Sequence, residues 1–223
     1  MLSIIEKYPQ LHMILSVGGG GSADISIADL IHNDATRTMF LKQAGGLLIS
    51  SHLQGVHLEL LHGLTDPKVI GHLDQMFAEI PGMVYLPVSV ADAEKVTAQC
   101  EKHPLLHPVI MGAHNGEIPQ LPDSVAEKAL IHVPTEGKIS TLALPSKWIH
   151  LFQRHGTVSK DKGTKQGRVE FKNGLEATYV TKEQVNVLCK KVKQTWVKGL
   201  LFGEAEHSAL PLAATARKMF MTS

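Results

Sequence analysis

The residues best suited to chemistry lie in one stretch of the chain, from Leu53 to Gly63, where polar and apolar residues alternate. Side chains on a β-strand point to opposite faces with a period of two. The stretch therefore predicts a strand with one aliphatic face and one face that carries Gly55, His57 and Glu59. An imidazole and a carboxylate on one face can hold a ligand or, with one more donor, a metal. If the strand belongs to a barrel, this polar face points into the lumen, where such folds keep their sites.

The pattern of this strand resembles the fourth strand of the chitinase-like glycosidases, glycoside hydrolase family 18. That strand carries the signature DG-x-D-x-D-x-E. The first Asp of the signature falls on Gln54, the glycine on Gly55, the next two Asp on His57 and Glu59, and the catalytic Glu on Leu61. The pattern of the signature is kept, and its acidic residues are replaced at all but one position.

Two further segments carry the same resemblance. The run Ser16-Val17-Gly18-Gly19 follows the S-x-G-G that closes the family's third strand, and its glycines let the backbone turn tightly beneath a ligand. The run 107–114 sits where the family has its sixth strand, which ends in M-x-Y-D. Met111 fits that ending, but the Tyr and Asp positions hold Ala113 and His114.

The end of the chain also follows the family pattern. Residues 199–205 resemble the last strand, and the tryptophan that forms the floor of the sugar site falls near Phe202. The resemblance implies candidate ligand-binding residues, which are Ser16, Gly18, Gly19, Glu59, Met111 and Phe202. It also implies that Gln54, His57, Glu59, Leu61, Met111, Ala113 and His114 form a degenerate catalytic site.

The resemblance implies a substrate-assisted hydrolysis that this chain is not equipped to perform. The reaction needs a carboxylic acid that protonates the leaving oxygen and groups that orient the acetamido side chain of the sugar. Leu61 has no proton to give, and Glu59 lies about 6–7 Å away along the strand. Ala113 and His114 cannot grip the acetamido group as Tyr and Asp do. The expectation is a pseudoenzyme with no catalytic residue.

The histidines allow two interpretations of this core. His57, Glu59 and His114 could converge and hold zinc or iron, whereas a His–Glu pair that fills the core is the simpler interpretation and predicts no metal and no cofactor. Eight other histidines are interpreted as boundary or surface residues. These are His32, His72, His103, His107, His132, His150, His155 and His207.

The strand and helix pattern predicts an α/β fold, an incomplete or N-terminally truncated (β/α)8 TIM barrel. Six strands, most joined by helical crossovers, correspond to strands three to eight, and the chain of 223 residues is shorter than the roughly 250 typical of this barrel. Residues 1–223 are read as one barrel domain with a short irregular insertion at 146–180. The edge strands 12–17 and 199–205 need cover, which predicts a protein partner or a missing N-terminal segment.

Several element boundaries are predicted from capping and turn signals. Asp34 is expected to cap a long helix, Thr181 to open another that runs to Trp196, and Asn173-Gly174 to turn a hairpin. A helix is predicted to start at Pro122-Asp123-Ser124 and to run to about Ile131. The run 139–145 is predicted to be the next barrel strand.

The composition narrows the classes of protein. The net charge of +1 argues against bulk attraction to nucleic acid or to a membrane, although the charge is uneven and residues 146–223 hold 14 Lys and Arg against 6 Asp and Glu. Cys100 and Cys189 lack metal spacing and are expected to be free buried thiols. The sequence predicts no signal peptide and no membrane span. An intracellular location follows if Met1 is the true start, although the resembled family is commonly secreted.

Three functions remain open. The first is a catalytically inactive chitinase-like protein that serves as a structural or protein-binding module within a larger assembly. The second is a chitinase-like lectin that binds N-acetylglucosamine oligomers without hydrolysis, which would need aromatic platforms where the chain offers few. The third is a metal-dependent enzyme that uses His57, Glu59 and His114.

Overall fold

The computed structural model describes residues 13–18, 30, 32–59, 73–113, 118–134, 137–139, 142–144, 146–202 and 209–221. The strands are β1 Ile14–Val17, β2 Gly55–Leu58, β3 Met83–Ser89, β4 Leu106–Met111, β5 Leu130–Val133, β6 Gly137–Ile139, β7 Leu142–Leu144, β8 Thr157–Lys160, β9 Gly167–Glu170, β10 Glu176–Tyr179 and β11 Gly199–Phe202. The helices are α1 Asp34–Ser50, α2 Asp74–Glu79, α3 Thr97–Lys102, α4 Asp123–Ala126, α5 Ser146–His155, α6 Lys182–Gln194 and α7 Ala209–Met221, with a 3-10 helix at Val90–Val96.

The chain forms two compact units. The first contains residues 1–110 and 121–129, and the second contains residues 111–120 and 130–223. The first unit carries β1 to β4 up to Ile110, with α1, α2, α3 and α4. The second carries β5 to β11, with α5, α6 and α7.

Six parallel strands form one sheet in the order β1-β2-β3-β4-β5-β11. Ser16 of β1 lies opposite His57 of β2, and His57 lies opposite Tyr85 of β3. Helical segments follow most of the strands, as parallel pairing requires. The fold is therefore an incomplete (β/α) barrel, as the sequence predicted, and β1 and β11 stand at the two ends of the strand order.

The alternation predicted for β2 is confirmed where the structure describes it. Val56 and Leu58 have no exposed surface, whereas His57 between them is half-buried and Glu59 after them is exposed. Each fully buried aliphatic side chain stabilises the fold by about 1.5–3 kcal/mol. The position of Leu60, the third residue predicted for the aliphatic face, lies outside the described residues.

The prediction for residues 124–145 was wrong in its element types. The helix ends at Ala126, and residues 130–133 form the fifth strand of the parallel sheet. Ile131 and Val133 are fully buried and alternate with half-buried neighbours, which is a period of two that the longer helical pattern concealed. The run 139–145, predicted as the next barrel strand, instead contains β7 and the last residue of β6, and both strands belong to a separate antiparallel sheet.

This second sheet has the order β7-β6-β10-β9-β8 and spans residues 137–179. Val169 and Ala177 form its buried centre, and the ring of Phe152 on α5 meets that of Phe171 at 5.3 Å in an edge-to-face contact. The hairpin predicted at Asn173-Gly174 joins β9 to β10, with Gly174 at φ 79°. The segment expected to be irregular is thus largely regular structure.

Capping side chains fix the ends of the two helices that were predicted with caps. The Asn33 side chain, rather than that of Asp34, accepts hydrogen bonds from two backbone amides of α1, because the helix begins one residue earlier than predicted. Asp34 instead pairs with Arg37 one turn along the helix. The Thr181 hydroxyl accepts from the Gln184 amide at 3.1 Å and opens α6, as predicted.

Both cysteines are free and buried, which confirms the expectation from their spacing. Burial raises the pKa of the Cys100 thiol to about 12 and also raises that of Cys189. Within the described parts of the chain, no helix is long and apolar enough to cross a membrane.

Candidate functional site

The polar face of β2 meets a serine on the neighbouring strand. Ser16 and His57 are in register, and the Ser16 hydroxyl oxygen lies 3.3 Å from His57 Nδ1. The same hydroxyl donates to Glu59 Oε2 at 3.5 Å, the long end of the hydrogen-bonding range. Ser16 thereby links the imidazole and the carboxylate at the carboxyl ends of β1 and β2, the end at which barrels hold their sites.

This arrangement differs from that of a Ser-His-acid triad. In a triad the imidazole lies between the hydroxyl and the carboxylate, whereas here the Ser16 hydroxyl lies between His57 and Glu59. The direction of the contact with His57 depends on which ring nitrogen carries the proton. The cluster can accept and donate hydrogen bonds to a polar ligand.

The polar row continues inward along residues that the sequence analysis did not select. Tyr85 of β3 lies in register with His57, and its ring stacks on that of His107 of β4 with centroids 5.2 Å apart. The Tyr85 hydroxyl donates to Met83 Sδ at 3.4 Å, and burial raises the pKa of this phenol. The sequence signal that could have identified Tyr85 is its place on the predicted strand next to the one that carries His57.

The interpretation of His107 as a boundary or surface residue was wrong. Its side chain is 6% exposed, and Nδ1 lies 3.0 Å from the backbone oxygen of Lys128. Within the first unit, the imidazole therefore has an apolar neighbour in the Tyr85 ring and a polar neighbour in the Lys128 carbonyl. These two contacts explain how a histidine is buried at a position that the sequence pattern alone places at the surface.

Two residues that follow the signature have structural roles. The Gln54 side chain accepts a hydrogen bond from the Met13 amide at 2.6 Å and so ties the start of β2 to β1. Gly55 is buried, and a Cβ there would lie 2.2 Å from the Met83 backbone oxygen. Glycine is needed here because β3 packs too close to its Cα for any side chain.

The remaining predicted site residues that the structure describes lie at or near the ends of strands. Gly18 follows β1 with φ 103°, which favours glycine. Met111 ends β4 and is half-buried, Ala113 is fully buried, and Phe202 ends β11 and is half-buried. Three predicted positions fall outside the described residues, namely Gly19, Leu61 and His114.

The metal alternative lacks one of its three predicted ligands in the described part of the chain, because His114 lies outside it. Among the residues that the structure does describe, no group of three or more His, Cys, Asp or Glu side chains could hold a metal ion. His57 and Glu59 alone provide two donors, one fewer than catalytic zinc sites use.

The architecture matches solved chitinase structures along nearly its whole length. A family 18 chitinase from Cycas revoluta, solved with allosamidin, aligns with a TM-score of 0.78 at 14% identity and covers 99% of this chain and 84% of its own. A Group IV chitinase from Ostrinia furnacalis gives 0.73 at 12% identity, covering 98% and 82%. The chain has the fold of the family 18 chitinases.

The same chitinase fold also occurs in an agglutinin. A chitinase-like agglutinin from Robinia pseudoacacia aligns with this chitinase-like chain with a TM-score of 0.71 at 14% identity, covering 98% of the chain and 84% of its own. Comparison with protein-family models and with curated proteins gives no match. The structural matches confirm the predicted resemblance at the level of the fold.

Proposed function

We propose that this chain is a catalytically inactive chitinase-like protein that serves as a structural or protein-binding module. The proposal rests mainly on the polar face at the end of β2. There the positions of two signature acids hold His57 and Glu59, both in contact with Ser16, while the sequence places Leu61 at the position of the proton donor.

Glu59 is a poor substitute for the missing acid. A general acid must be kept protonated by apolar or crowded surroundings. Glu59 is exposed to solvent and accepts a hydrogen bond from Ser16. General acid catalysis contributes typically about 10²–10⁴-fold, and the replacement of the acetamido-gripping Tyr and Asp by Ala113 and His114 removes a further contribution.

The open ends of the strand order support a protein-binding role. Among the described strands, β1 pairs only with β2, and β11 pairs only with β5. An edge strand presents a row of backbone amides and carbonyls that another polypeptide can complete. A partner that adds a strand beside β1 is the kind of occupant this edge suits.

A second candidate is a lectin that binds N-acetylglucosamine oligomers. The Robinia pseudoacacia protein of the same fold is an agglutinin, and the Cycas revoluta chitinase has been solved with (GlcNAc)3. In this chain Phe202 is half-buried at the end of β11, where the family pattern has its floor tryptophan. Phe202 offers a smaller stacking surface than an indole.

Chitooligosaccharide titration separates the two candidates. Calorimetry with (GlcNAc)4 is expected to give no saturable heat for the native chain, and a hydrolysis assay on the same sugar is expected to give no new reducing ends. Saturable binding that is lost in Phe202→Ala and kept in Leu175→Ala, an exposed apolar control in the turn between β9 and β10, would instead support the lectin. Stoichiometric zinc or iron in the purified protein would revive the metal-enzyme alternative.

A further inference from the structure

Trp196 occupies a position that folding alone does not favour. It directly follows the C-cap residue Thr195 of α6, its φ is 58°, and its side chain is 76% exposed. The left-handed position after a helix is usually glycine, because a Cβ is strained there. An indole at this point accepts backbone strain and also exposes a large apolar ring to water, so a binding role accounts for it better than a packing role.

A second exposed apolar side chain lies at the same end of the second unit. Helices α6 and α7 pack together, and Lys193 Nζ in the last turn of α6 donates to the Met219 backbone oxygen in the last turn of α7 at 2.6 Å. The same ammonium lies 5.9 Å from the centre of the Phe220 ring. Met221, two residues after Met219, is 71% exposed. We call Trp196, Met221 and Lys193 the end patch.

Beyond Glu183 in the first turn of α6, the charged residues of the two helices and of the segment that follows α6 are all cationic. From residue 184 to 202 and from residue 209 to 221 the chain contains no Asp or Glu. The same two ranges contain six cationic residues, which are Lys190, Lys191, Lys193, Lys198, Arg217 and Lys218. Lys190, Lys193, Lys198 and Arg217 are exposed. The apolar tips of Trp196 and Met221 therefore belong to a part of the chain whose charged residues are cationic.

We propose that the end patch docks the protein on an anionic phospholipid membrane surface. The indole of Trp196 and the thioether of Met221 enter the headgroup region, which favours amphipathic rings and apolar tips. The lysines and Arg217 bind the lipid phosphates and carboxylates, and their attraction falls off within a Debye length. A single-stranded nucleic acid would also suit Trp196 and the cations, but it would leave the exposed Met221 without a role.

The test uses the full chain with Trp148→Phe, so that Trp196 is its one tryptophan. Vesicles of phosphatidylcholine are compared with vesicles of phosphatidylcholine and phosphatidylserine at ~3:1. The proposal predicts cosedimentation and a blue shift of Trp196 emission with the anionic vesicles alone. Brominated lipid is expected to quench that emission, and added salt is expected to release the protein.

Variants separate the patch from general electrostatics. Trp196→Gly relieves the left-handed strain, so it should fold at least as well as the parent and yet bind the anionic vesicles about tenfold more weakly. Met221→Ser and the double variant Lys190→Gln with Lys198→Gln should each weaken binding. Lys172→Gln, an exposed lysine in the turn between β9 and β10, is the control and should leave it unchanged.

Three results would overturn the proposal. The first is no partition of the native chain onto phosphatidylserine vesicles. The second is equal binding by folded Trp196→Gly, Met221→Ser and the parent. The third is a Trp196 signal that responds to a single-stranded oligonucleotide and not to vesicles, which would assign the patch to nucleic acid.

Discussion

Ser16 and His57 face each other in register across β1 and β2, with the serine hydroxyl oxygen 3.3 Å from the imidazole Nδ1. The hydroxyl also reaches Glu59 Oε2, so one short side chain contacts both polar residues on the β2 face. In a working hydrolase this end of the strands would present free carboxyl groups to a sugar. Here His57 and Glu59, at the positions of two signature acids, both contact Ser16, which is consistent with the proposed conversion of the site to a structural contact.

Restoring the acid alone should not restore chitinase activity. Leu61→Glu is expected to show no measurable release of reducing sugar from chitooligosaccharides, because Ala113 and His114 still lack the groups that orient the acetamido side chain. Leu61→Gln serves as the matched control without a proton donor. Robust turnover by Leu61→Glu and none by Leu61→Gln would contradict the account.

Gly55→Ala should be strongly destabilising. Its new Cβ would lie 2.2 Å from the Met83 backbone oxygen, so β2 and β3 must separate, at a cost of about 3 kcal/mol in the free energy of unfolding. Gly46→Ala is the control, since Gly46 lies inside α1 with nothing within 4 Å of its Cβ position. That variant should gain about 0.5–1 kcal/mol. Equal urea midpoints for both variants would be evidence against this packing.

Asp74 should make the first unit sensitive to acid. Burial alone would raise the pKa of this carboxyl, but hydrogen bonds from Lys102 and His103 outweigh that effect and lower it. A group whose pKa is lower in the folded chain stabilises above its unfolded value of about 3.9, and this stabilisation is lost as the pH falls through the folded value.

Asp74→Asn is therefore expected to lower stability at pH 7 by at most about 1 kcal/mol, and the difference from the native chain should shrink below about pH 4. Urea unfolding at both pH values measures this, with exposed Asp123→Asn as the control. A difference that grows on acidification would mean that the assigned hydrogen bonds do not stabilise the charged form.

The two thiols should react only when the fold opens. Burial raises the pKa of Cys100 to about 12, and it raises that of Cys189 as well, so neither thiol supplies much thiolate at pH 8. A thiol reagent is expected to label the native chain far more slowly than the chain in denaturant. Rapid labelling of either cysteine in buffer would show that it is accessible.

Trp196→Gly should raise the free energy of unfolding by about 1 kcal/mol, because glycine adopts φ 58° without strain. Thermal unfolding of this variant beside Lys172→Gln gives the comparison. A loss of stability would mean that the indole packs in solution, and it would weaken the argument that its placement serves binding.

The sequence predicted the parallel barrel architecture because buried strands and crossover helices leave strong local patterns, as in β2 with Val56 and Leu58. It missed β5, where only Ile131 and Val133 alternate over four residues, too few to compete with the helical pattern before them. It also misplaced His107, since burial beside Tyr85 and the Lys128 carbonyl is a tertiary property that no local pattern encodes.

The site was predicted only in part, because strand spacing is a local property and strand register is a tertiary one. Spacing on β2 placed His57 and Glu59 on one face, but their common contact with Ser16 depends on the register between β1 and β2. The start of α1 also shows what the sequence alone does not decide. Asn33 and Asp34 are both good caps, and only the backbone position decides that Asn33 accepts the amides of α1.

We propose that this chitinase-like chain does not hydrolyse chitin. The most direct test of this proposal is a time course of purified full chain with (GlcNAc)4, followed by product chromatography at several pH values beside a Glu59→Gln variant. The account predicts no cleavage products from either protein. Cleavage by the native chain that disappears in Glu59→Gln would show that Glu59 acts as the acid after all.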